Sequence, residues 1–238
     1  MTDVLYVIAK APRVGFAKTR LGKSIGHGEA IELYKAFLKD LATRFADVPF
    51  GFGWYITPPD AWPEISALTG EAERLIYQGE GDLTDRQRQL FCEARRRGER
   101  AVLIGSDTPH LDVEMVEEAF RSLDTHDLVF VPTYDGGYSL IGMSGPHYEV
   151  LKEVKMSTGS ELDGIINRAK LSSLSVKLLE TTFDVDEEED LHPLRELALE
   201  REDLIATREA LEKHGLLEPE PASNDPKTEF FGSRRKKY

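Results

Sequence analysis

The sequence predicts an α/β fold built on a mostly parallel sheet, and two observations support this prediction. Short, unbroken apolar segments such as residues 4–9 and 101–105 are typical of strands that are buried on both faces of a parallel sheet. Between such segments lie stretches with apolar residues at helical spacing, for example residues 31–45. Because strand-like and helix-like segments alternate through the first half of the chain, we expect βαβ units with helices packed on the sheet.

Taken in order, the segments predict a series of strands and helices. The strands are expected at residues 4–9, 50–57, 75–77, 101–105, 128–132, 138–142 and 175–179. The helices are expected at residues 31–45, 85–97, 113–123 and 191–214. An Asp-Gly turn signal precedes residues 138–142, so this strand is expected to run back beside the preceding one. We expect residues 1–217 to form a single domain, and the proline-rich and charged residues 218–238 to form a disordered tail.

Composition and charge exclude several classes of protein. The 238 residues include 43 Asp and Glu against 30 Lys and Arg, a formal net charge of −13, which argues against general binding to nucleic acid. No apolar segment approaches the roughly 20 residues that a membrane-spanning helix needs. The start of the chain lacks the basic region of a signal peptide, and the single cysteine, Cys92, excludes a disulfide scaffold. These features favour a cytoplasmic protein without integral membrane association.

The loop after the first strand concentrates positive charge. It holds four cations within eleven residues of an otherwise acidic chain: Lys10, Arg13, Lys18 and Arg20. Gly15 allows a ligand to approach the backbone closely, and Lys and Arg side chains neutralise phosphate oxygens. The loop is not a Walker A motif, because Ala17 stands where that motif has glycine before Lys-Thr. A solvated basic connection is the alternative, but the position at a strand end favours a phosphate site.

Two acidic segments also follow predicted strands. Asp107 comes shortly after residues 101–105, where it either caps the next helix or presents a carboxylate to a hard cation such as Mg²⁺. Asp184 and Asp186 are two residues apart, so an extended backbone directs both side chains to the same side. The alternative for this second segment is an acidic helix start that favours the helix dipole. In the functional interpretation, Asp107 and Asp186 share one metal ion.

Motifs of several other enzyme classes are missing from the sequence. No Gly-x-Gly-x-x-Gly follows the first strand, so a dinucleotide site is not expected. No histidine pair has the spacing of zinc ligands, and no Gly-x-Ser-x-Gly nucleophile motif occurs. His110 is the one histidine close to the Asp107 segment. Residues 135–138 read Asp-Gly-Gly-Tyr, a turn whose backbone amides are able to approach a ligand closely.

Together these segments resemble a bacterial and archaeal glycosyltransferase family of the GT-A, or nucleotide-diphospho-sugar transferase, superfamily. The resemblance begins with AKAPRVGFAKTRL at residues 9–21 and continues through residues 34–40 and 78–86. It includes GSDTP at residues 105–109 and DGGYSLIG at residues 135–142, and it closes with Asp184-Val185-Asp186. The resemblance implies a three-layer α/β/α fold with a mostly parallel central sheet.

The same resemblance implies roles for particular residues. Catalytic roles fall on Asp107, Lys18 and Asp135, and Mg²⁺ or Mn²⁺ is expected to bind to Asp107 and Asp186. Nucleotide and phosphate contacts are expected from Lys10, Pro12, Arg13, Gly15, Lys18, Arg20 and Ser106. The sugar or acceptor side is expected near Asp135, Gly136, Gly137 and Tyr138.

The activity that the resemblance implies is transfer from a nucleotide-activated donor, with a nucleotide sugar as the expected donor and an acceptor that the sequence does not indicate. A bound metal ion would neutralise the leaving diphosphate, and Asp135 and His110 are the candidates for a general base. Two alternatives remain open. One is a cytidylyl- or guanylyltransferase that attacks a nucleoside triphosphate and releases pyrophosphate. The other is a nucleotide-binding protein of the same fold without turnover.

Overall fold

The computed structural model describes residues 1–152, 154 and 159–217, and these residues form a seven-stranded sheet flanked by helices. The strands are β1 (Thr2–Lys10), β2 (Gly51–Thr57), β3 (Arg74–Tyr77), β4 (Glu99–Gly105), β5 (Leu128–Pro132), β6 (Tyr138–Met143) and β7 (Val176–Leu178). The α-helices are α1 (Leu21–Ile25), α2 (His27–Arg44), α3 (Trp62–Thr69), α4 (Leu83–Arg96), α5 (Val113–Ser122), α6 (Glu161–Leu171), α7 (Leu191–Glu200) and α8 (Ile205–Lys213). In the sheet, the strands follow the order β3-β2-β1-β4-β6-β5-β7.

The sheet is parallel except at β6, which runs antiparallel to both of its neighbours, β4 and β5. The return of β6 beside β5 agrees with the expectation from the Asp-Gly turn. Pairing with β4 is not indicated by the sequence, because hydrophobic patterning does not specify which strands become neighbours. Since β6 is antiparallel, its first residues lie at the same edge as the carboxyl ends of β1 and β4. The turn at residues 135–138 is thereby brought to the edge where α/β sheets bind ligands.

Alternation along the buried strands divides the apolar side chains between two cores. On β4, Val102 and Ile104 belong to a core that also contains residues of α2, α3, α5, α7 and α8. Ala101 and Leu103 belong to a second core with residues of α4 and α6. Because helices cover both faces, the strands are continuously apolar. This arrangement confirms the predicted three-layer α/β/α fold with a mostly parallel sheet.

The expectation of one long helix over residues 191–214 is wrong. The segment forms two helices, α7 and α8, which are separated by residues 201–204. Asp40 of α2 caps α8, because its carboxylate accepts hydrogen bonds from the backbone N–H groups of Ala206 (2.9 Å) and Thr207 (2.8 Å). The capping residue is 166 positions away in sequence from Ala206, so local periodicity does not reveal where the helix is interrupted.

Three of the helices in the described residues are not expected from the sequence. The helices α1, α3 and α6 are not among the predicted elements, and the first two have only 5 and 8 residues. None of the helices in the described ranges combines the length and apolar character needed to cross a bilayer. The tail predicted over residues 218–238 lies outside the described residues, and the single domain over residues 1–217 stays a prediction.

Candidate active site

A cleft of about 750 Å³ lies at the edge of the sheet where β1 and β4 end and β6 begins. Five segments supply most of its lining: the loop after β1, the β3–α4 connection, the loop after β4, the turn before β6 and the segment around Asp184 and Asp186. Tyr34 of α2 and residues 159 and 161 also contribute to it. These segments include most of the motifs singled out in the sequence. Parallel strands bring them together because their carboxyl ends share one edge.

Three aspartates form a cluster in this cleft. Asp107, Asp184 and Asp186 each offer one carboxylate oxygen, and these oxygens lie within 4.8 Å of one another. The backbone N–H of Val185 donates to the carbonyl of Asp107 (2.9 Å), which joins the two segments. Val185 itself is buried in the core, so the alternation of an extended backbone turns both of its neighbours towards the cleft. Asp184 is therefore a third member of the cluster beside the two predicted metal ligands.

The charges in this cluster influence one another strongly. Burial, together with the carboxylates of Asp107 and Asp186, raises the pKa of Asp184 to about 7. By contrast, the ammonium of Lys18 lowers the pKa of Asp186. A set of three oxygen ligands that repel one another fits a hard divalent cation such as Mg²⁺ or Mn²⁺, which prefers carboxylate oxygens.

Lys18 reaches the aspartate cluster from the loop after β1. Its side chain is only 4% exposed, and its Nζ lies 3.0 Å from Asp186 Oδ1 and 3.7 Å from Asp107 Oδ2. The ammonium also donates to the carbonyl of Val185 (2.8 Å). Burial acts to lower the pKa of Lys18, but the two aspartates outweigh it and raise the pKa, so the side chain remains charged. The backbone of Lys18 has a φ of 49°, a left-handed conformation that is unusual outside glycine and is often found at functional sites.

The other cationic side chains of the first loop do not all point into the cleft. Lys10 and Arg20 line the cleft, and Lys10 has no ion-pair partner within the described part of the chain. Arg20 lies 3.8 Å from Glu187, and both side chains are largely exposed. Arg13 turns away from the cleft lining, because its guanidinium binds Glu64 (2.7 Å from Nε) and Asp60. Pro12 and Gly15 also belong to the part of the loop outside the cleft lining, and Gly15 has a φ of 85°.

Tyr34 is a cleft residue whose function the sequence does not reveal. It stands at a core position of the predicted helix, but its hydroxyl shares a hydrogen bond of 3.0 Å with the hydroxyl of Ser106. The same hydroxyl accepts a hydrogen bond from the backbone N–H of Lys10 (3.0 Å). Tyr34 therefore links the basic loop to the loop that carries Asp107. The sequence signals at this position are its polar end within an apolar helix face and its place in the resemblance over residues 34–40.

The Asp-Gly-Gly-Tyr turn brings two of its side chains into the cleft. Asp135 Oδ1 accepts hydrogen bonds from Thr133 Oγ1 (2.5 Å) and from the N–H of Gly137 (3.0 Å), which shapes the turn. Gly136 has a φ of 91°, and a Cβ at this position would collide with the backbone of Gly159, so glycine is required. Asp135, Gly137 and Tyr138 line the cleft, whereas Gly136 supports the turn from outside the lining.

The β3–α4 connection contributes an orienting network. Gln78 is buried, and its Nε2 donates to the backbone carbonyls of Tyr55 (2.8 Å) and Ala9 (3.2 Å). Its Oε1 accepts from Arg86 (3.3 Å), whose Nε donates to the carbonyl of Gly81 (3.2 Å). Arg86 thereby adds a further cation to the cleft lining, and the sequence assigned no role to this position beyond the resemblance.

His110, one of the two candidate bases, lies behind the Asp107 loop and does not line the cleft. Its ring stacks on Phe183 with a centroid distance of 4.1 Å, and Nε2 shares a hydrogen bond of 2.7 Å with the Thr182 hydroxyl. Burial, followed by the charges of Arg201 and Arg44, lowers its pKa to about 3. His110 is therefore neutral near pH 7 and supports the loop from the side opposite to the cleft.

A mostly parallel sheet with a basic loop and a carboxylate cluster at one edge agrees with the nucleotide-diphospho-sugar transferase fold that the sequence predicts, and comparisons with known proteins test this agreement. Residues 54–158 match the DUF2064 family, described as an uncharacterized protein conserved in bacteria. Among solved structures, a "putative nucleotide-diphospho-sugar transferase" from Desulfovibrio desulfuricans G20 is 26% identical with a TM-score of 0.83. The similarity covers 91% of this chain and 97% of that chain. These findings confirm the expected resemblance to the superfamily.

More distant structures share the fold alone. A cytidylyltransferase from Leptospira borgpetersenii serovar Hardjo-bovis is 13% identical with a TM-score of 0.54, covering 94% of this chain and 100% of that chain. A 4-diphosphocytidyl-2C-methyl-D-erythritol synthase from Anaerococcus prevotii DSM 20548 is 12% identical with a TM-score of 0.53, covering 84% and 97%. No match is found among curated proteins.

Proposed function

We propose that this protein is a metal-dependent transferase that uses a nucleotide-activated donor, with a nucleotide sugar as the donor. The observation that carries the proposal is the meeting of three aspartates and a buried lysine in a cleft of about 750 Å³. A cleft of this size accommodates a nucleotide-sized ligand. The similarity to the Desulfovibrio protein supports the choice of donor.

The aspartate cluster is the proposed metal site. Asp107, Asp184 and Asp186 would hold Mg²⁺ or Mn²⁺, and the bound cation would supply positive charge for a leaving diphosphate. The residues fit such an ion, because burial and the repulsion from the Asp107 and Asp186 carboxylates raise the pKa of Asp184 to about 7, and a cation would relieve this repulsion.

The other cleft residues bind and orient the substrate. Lys10 and Arg20 line the cleft and would bind phosphate oxygens through charge-assisted hydrogen bonds. Lys18 keeps its charge next to the aspartates, so it places an ammonium where negative charge develops on the leaving group. Ser106, held by Tyr34, orients the loop between these groups. Asp135 is the proposed general base, because it lines the cleft and its Oδ1 is fixed by the turn.

The metal site is tested by calorimetric titration of nucleoside diphosphates and nucleotide sugars with and without Mn²⁺. Asp107→Asn and Asp186→Asn should each abolish the Mn²⁺-dependent part of the affinity, while circular dichroism shows that both variants remain folded. Asp47→Asn is the matched control, because Asp47 is exposed and forms no ion pair within the described residues. Retention of Mn²⁺-dependent binding in both site variants would contradict the assignment.

Nucleotidyl transfer is the second candidate, favoured by the number of cations on the cleft lining. Lys10, Lys18, Arg20 and Arg86 together suit the greater charge of a nucleoside triphosphate. Identification of the products separates the candidates: glycosyl transfer releases a nucleoside diphosphate, whereas nucleotidyl transfer releases pyrophosphate. A binding protein without turnover would form neither product although nucleotide binds.

A further inference from the structure

The inner part of the cleft differs in chemistry from the edge where the phosphate-binding residues lie. Its apolar floor consists of Ile8, Leu103 and Ile141, which pack with the core beneath α4 and α6. Ile8 lies two residues before Lys10 on β1, so this floor is one pleat further from the edge. Ser139 and Gln87 also line it, and these five residues define the inner compartment.

Tyr138 and Ser139 are neighbours in β6, and both belong to the cleft wall because the strand is irregular at its start. Val131 pairs with Leu140 and Pro132 pairs with Tyr138, which leaves Ser139 as the extra residue of a β-bulge. In a regular strand, consecutive side chains face opposite sides of the sheet, yet Tyr138 and Ser139 both line the cleft. Bulges are frequent next to active sites, where they redirect a side chain.

The hydroxyl of Ser139 lacks a hydrogen-bond partner. The residue is only 6% exposed, and its Oγ makes no hydrogen bond within the described part of the chain. A buried hydroxyl in this state is unfavourable, and the great majority of such groups are paired. Ser106 in the same cleft is paired with Tyr34. A ligand hydroxyl would supply the partner that Ser139 lacks.

Gln87 offers a second polar group to the same compartment. Its Oε1 accepts a hydrogen bond of 2.6 Å from the hydroxyl of Tyr138, which fixes the orientation of the amide. Its Nε2 makes no hydrogen bond among the described residues, so a donor remains available. The inner compartment thus combines an apolar floor with one hydroxyl and one amide donor.

We infer that the inner compartment binds the sugar ring of the substrate, with Ser139 and Gln87 hydrogen-bonding to sugar hydroxyls over the apolar floor. A sugar ring matches this combination, because its C–H faces pack on apolar side chains and its hydroxyls require polar partners. The inference rests on the proposed function. It holds whether the sugar arrives on a nucleotide sugar or as a sugar phosphate for nucleotidyl transfer.

The test measures how much the sugar contributes to affinity, by calorimetry in the presence of Mn²⁺. One arm compares UDP with UDP-glucose and GDP with GDP-mannose, and the second arm compares inorganic phosphate with glucose 1-phosphate and mannose 1-phosphate. The wild type should bind the sugar-bearing compound at least fivefold more tightly in one arm. Ser139→Ala and Gln87→Met should reduce this ratio to below twofold without changing the affinity for the compound without sugar.

Ser139→Ala is expected to fold normally, because it removes a hydroxyl that has no hydrogen-bond partner within the described residues. Its melting temperature should therefore equal or exceed that of the wild type. Thr207→Val is the matched control, because it also removes a buried hydroxyl, but one that lies in α8, outside the cleft lining. This control should keep the full sugar contribution.

The outcomes separate the inference from the proposed function. An unchanged ratio in Ser139→Ala and Gln87→Met, or no sugar contribution in either arm while nucleoside diphosphates bind normally, overturns the inference alone. If neither nucleotide nor phosphate binds in the presence of Mn²⁺, the proposed function fails and the inference fails with it.

Discussion

Two clusters of charged side chains flank the loop at residues 107–111, and they differ in how fully their charges are compensated. On the cleft side, three aspartates face the buried ammonium of Lys18. On the opposite side, Arg44 and Arg201 both bind Asp203; we call these three residues the arginine clamp. Within the clamp, the two guanidinium groups also donate to the backbone carbonyls of Pro109, His110 and Leu111.

The difference between the clusters distinguishes a structural network from a ligand site. In the clamp, hydrogen bonds from Arg201 and Arg44 hold the pKa of Asp203 far below its usual range, so its charge is well compensated. In the cleft, burial and neighbouring carboxylates raise the pKa of Asp184 to about 7. A cluster with this excess of negative charge is arranged for a further cation, whereas a compensated network holds the loop in place.

The largest expected effect on stability comes from opening the arginine clamp. Asp203→Ala should lower the free energy of unfolding by about 2 kcal/mol, because it removes the ion pair of the buried Arg44 guanidinium; the 41% exposure of Asp203 keeps the loss below that of a fully buried pair. Urea denaturation measures the change, with Asp47→Ala as the control for loss of an exposed carboxylate. A loss smaller than about 1 kcal/mol, the range of exposed pairs, would show that the clamp is not a compensated network of this kind.

The free energy of unfolding should also depend on pH through His110, whose backbone carbonyl binds Arg201 of the arginine clamp. The pKa of His110 is about 3 in the folded chain, against 6.5 for an unperturbed histidine, so the unfolded chain binds a proton first as the pH falls. Stability is therefore lost as the pH falls through 6.5, by about 1 kcal/mol between pH 6.5 and 5.5. Denaturation at both pH values should show a smaller drop for His110→Gln than for the wild type. An equal drop in the two proteins would contradict a neutral, buried His110.

On the cleft side, removal of a carboxylate should have the opposite effect on stability. Asp184→Asn should raise the free energy of unfolding in metal-free buffer by about 1 kcal/mol, because it relieves repulsion within the aspartate cluster. The same variant should lose the increase in melting temperature that Mn²⁺ gives the wild type. Thermal unfolding with and without Mn²⁺ checks both effects. If Asp184→Asn is less stable than the wild type, or if Mn²⁺ still raises its melting temperature, the aspartate cluster is not an uncompensated cation site.

The smallest effect is expected for Arg13, whose charge is used outside the cleft. Arg13→Gln should change the stability by no more than about 0.5 kcal/mol, since its pairs with Asp60 and Glu64 are largely exposed. It should leave the affinity for nucleoside diphosphates within twofold. Arg20→Gln, the matched change on the cleft lining, should weaken that affinity by about fivefold. Equal effects of the two variants would show that Arg13 also reaches the ligand.

Much of the fold is predictable from the sequence, and the candidate site is predictable in part. Unbroken apolar runs specify burial on both faces, which is why the predicted strands agree with β1, β4 and β5. The site segments are recognisable because polar residues follow these strands directly. The division of residues 191–214 into α7 and α8 is not predictable, since the cap comes from Asp40 in another helix.

The sequence by itself determined which segments are strands, which strand ends carry polar groups, and where positive charge is concentrated. These properties are local, because they depend on side-chain polarity and spacing along a few residues. Only the tertiary structure decided that Lys18 points to the aspartates while Arg13 binds Glu64, and that a bulge puts both Tyr138 and Ser139 on the cleft wall. Such properties depend on strand order, register and competition between distant charges, so they exist only once the chain has folded.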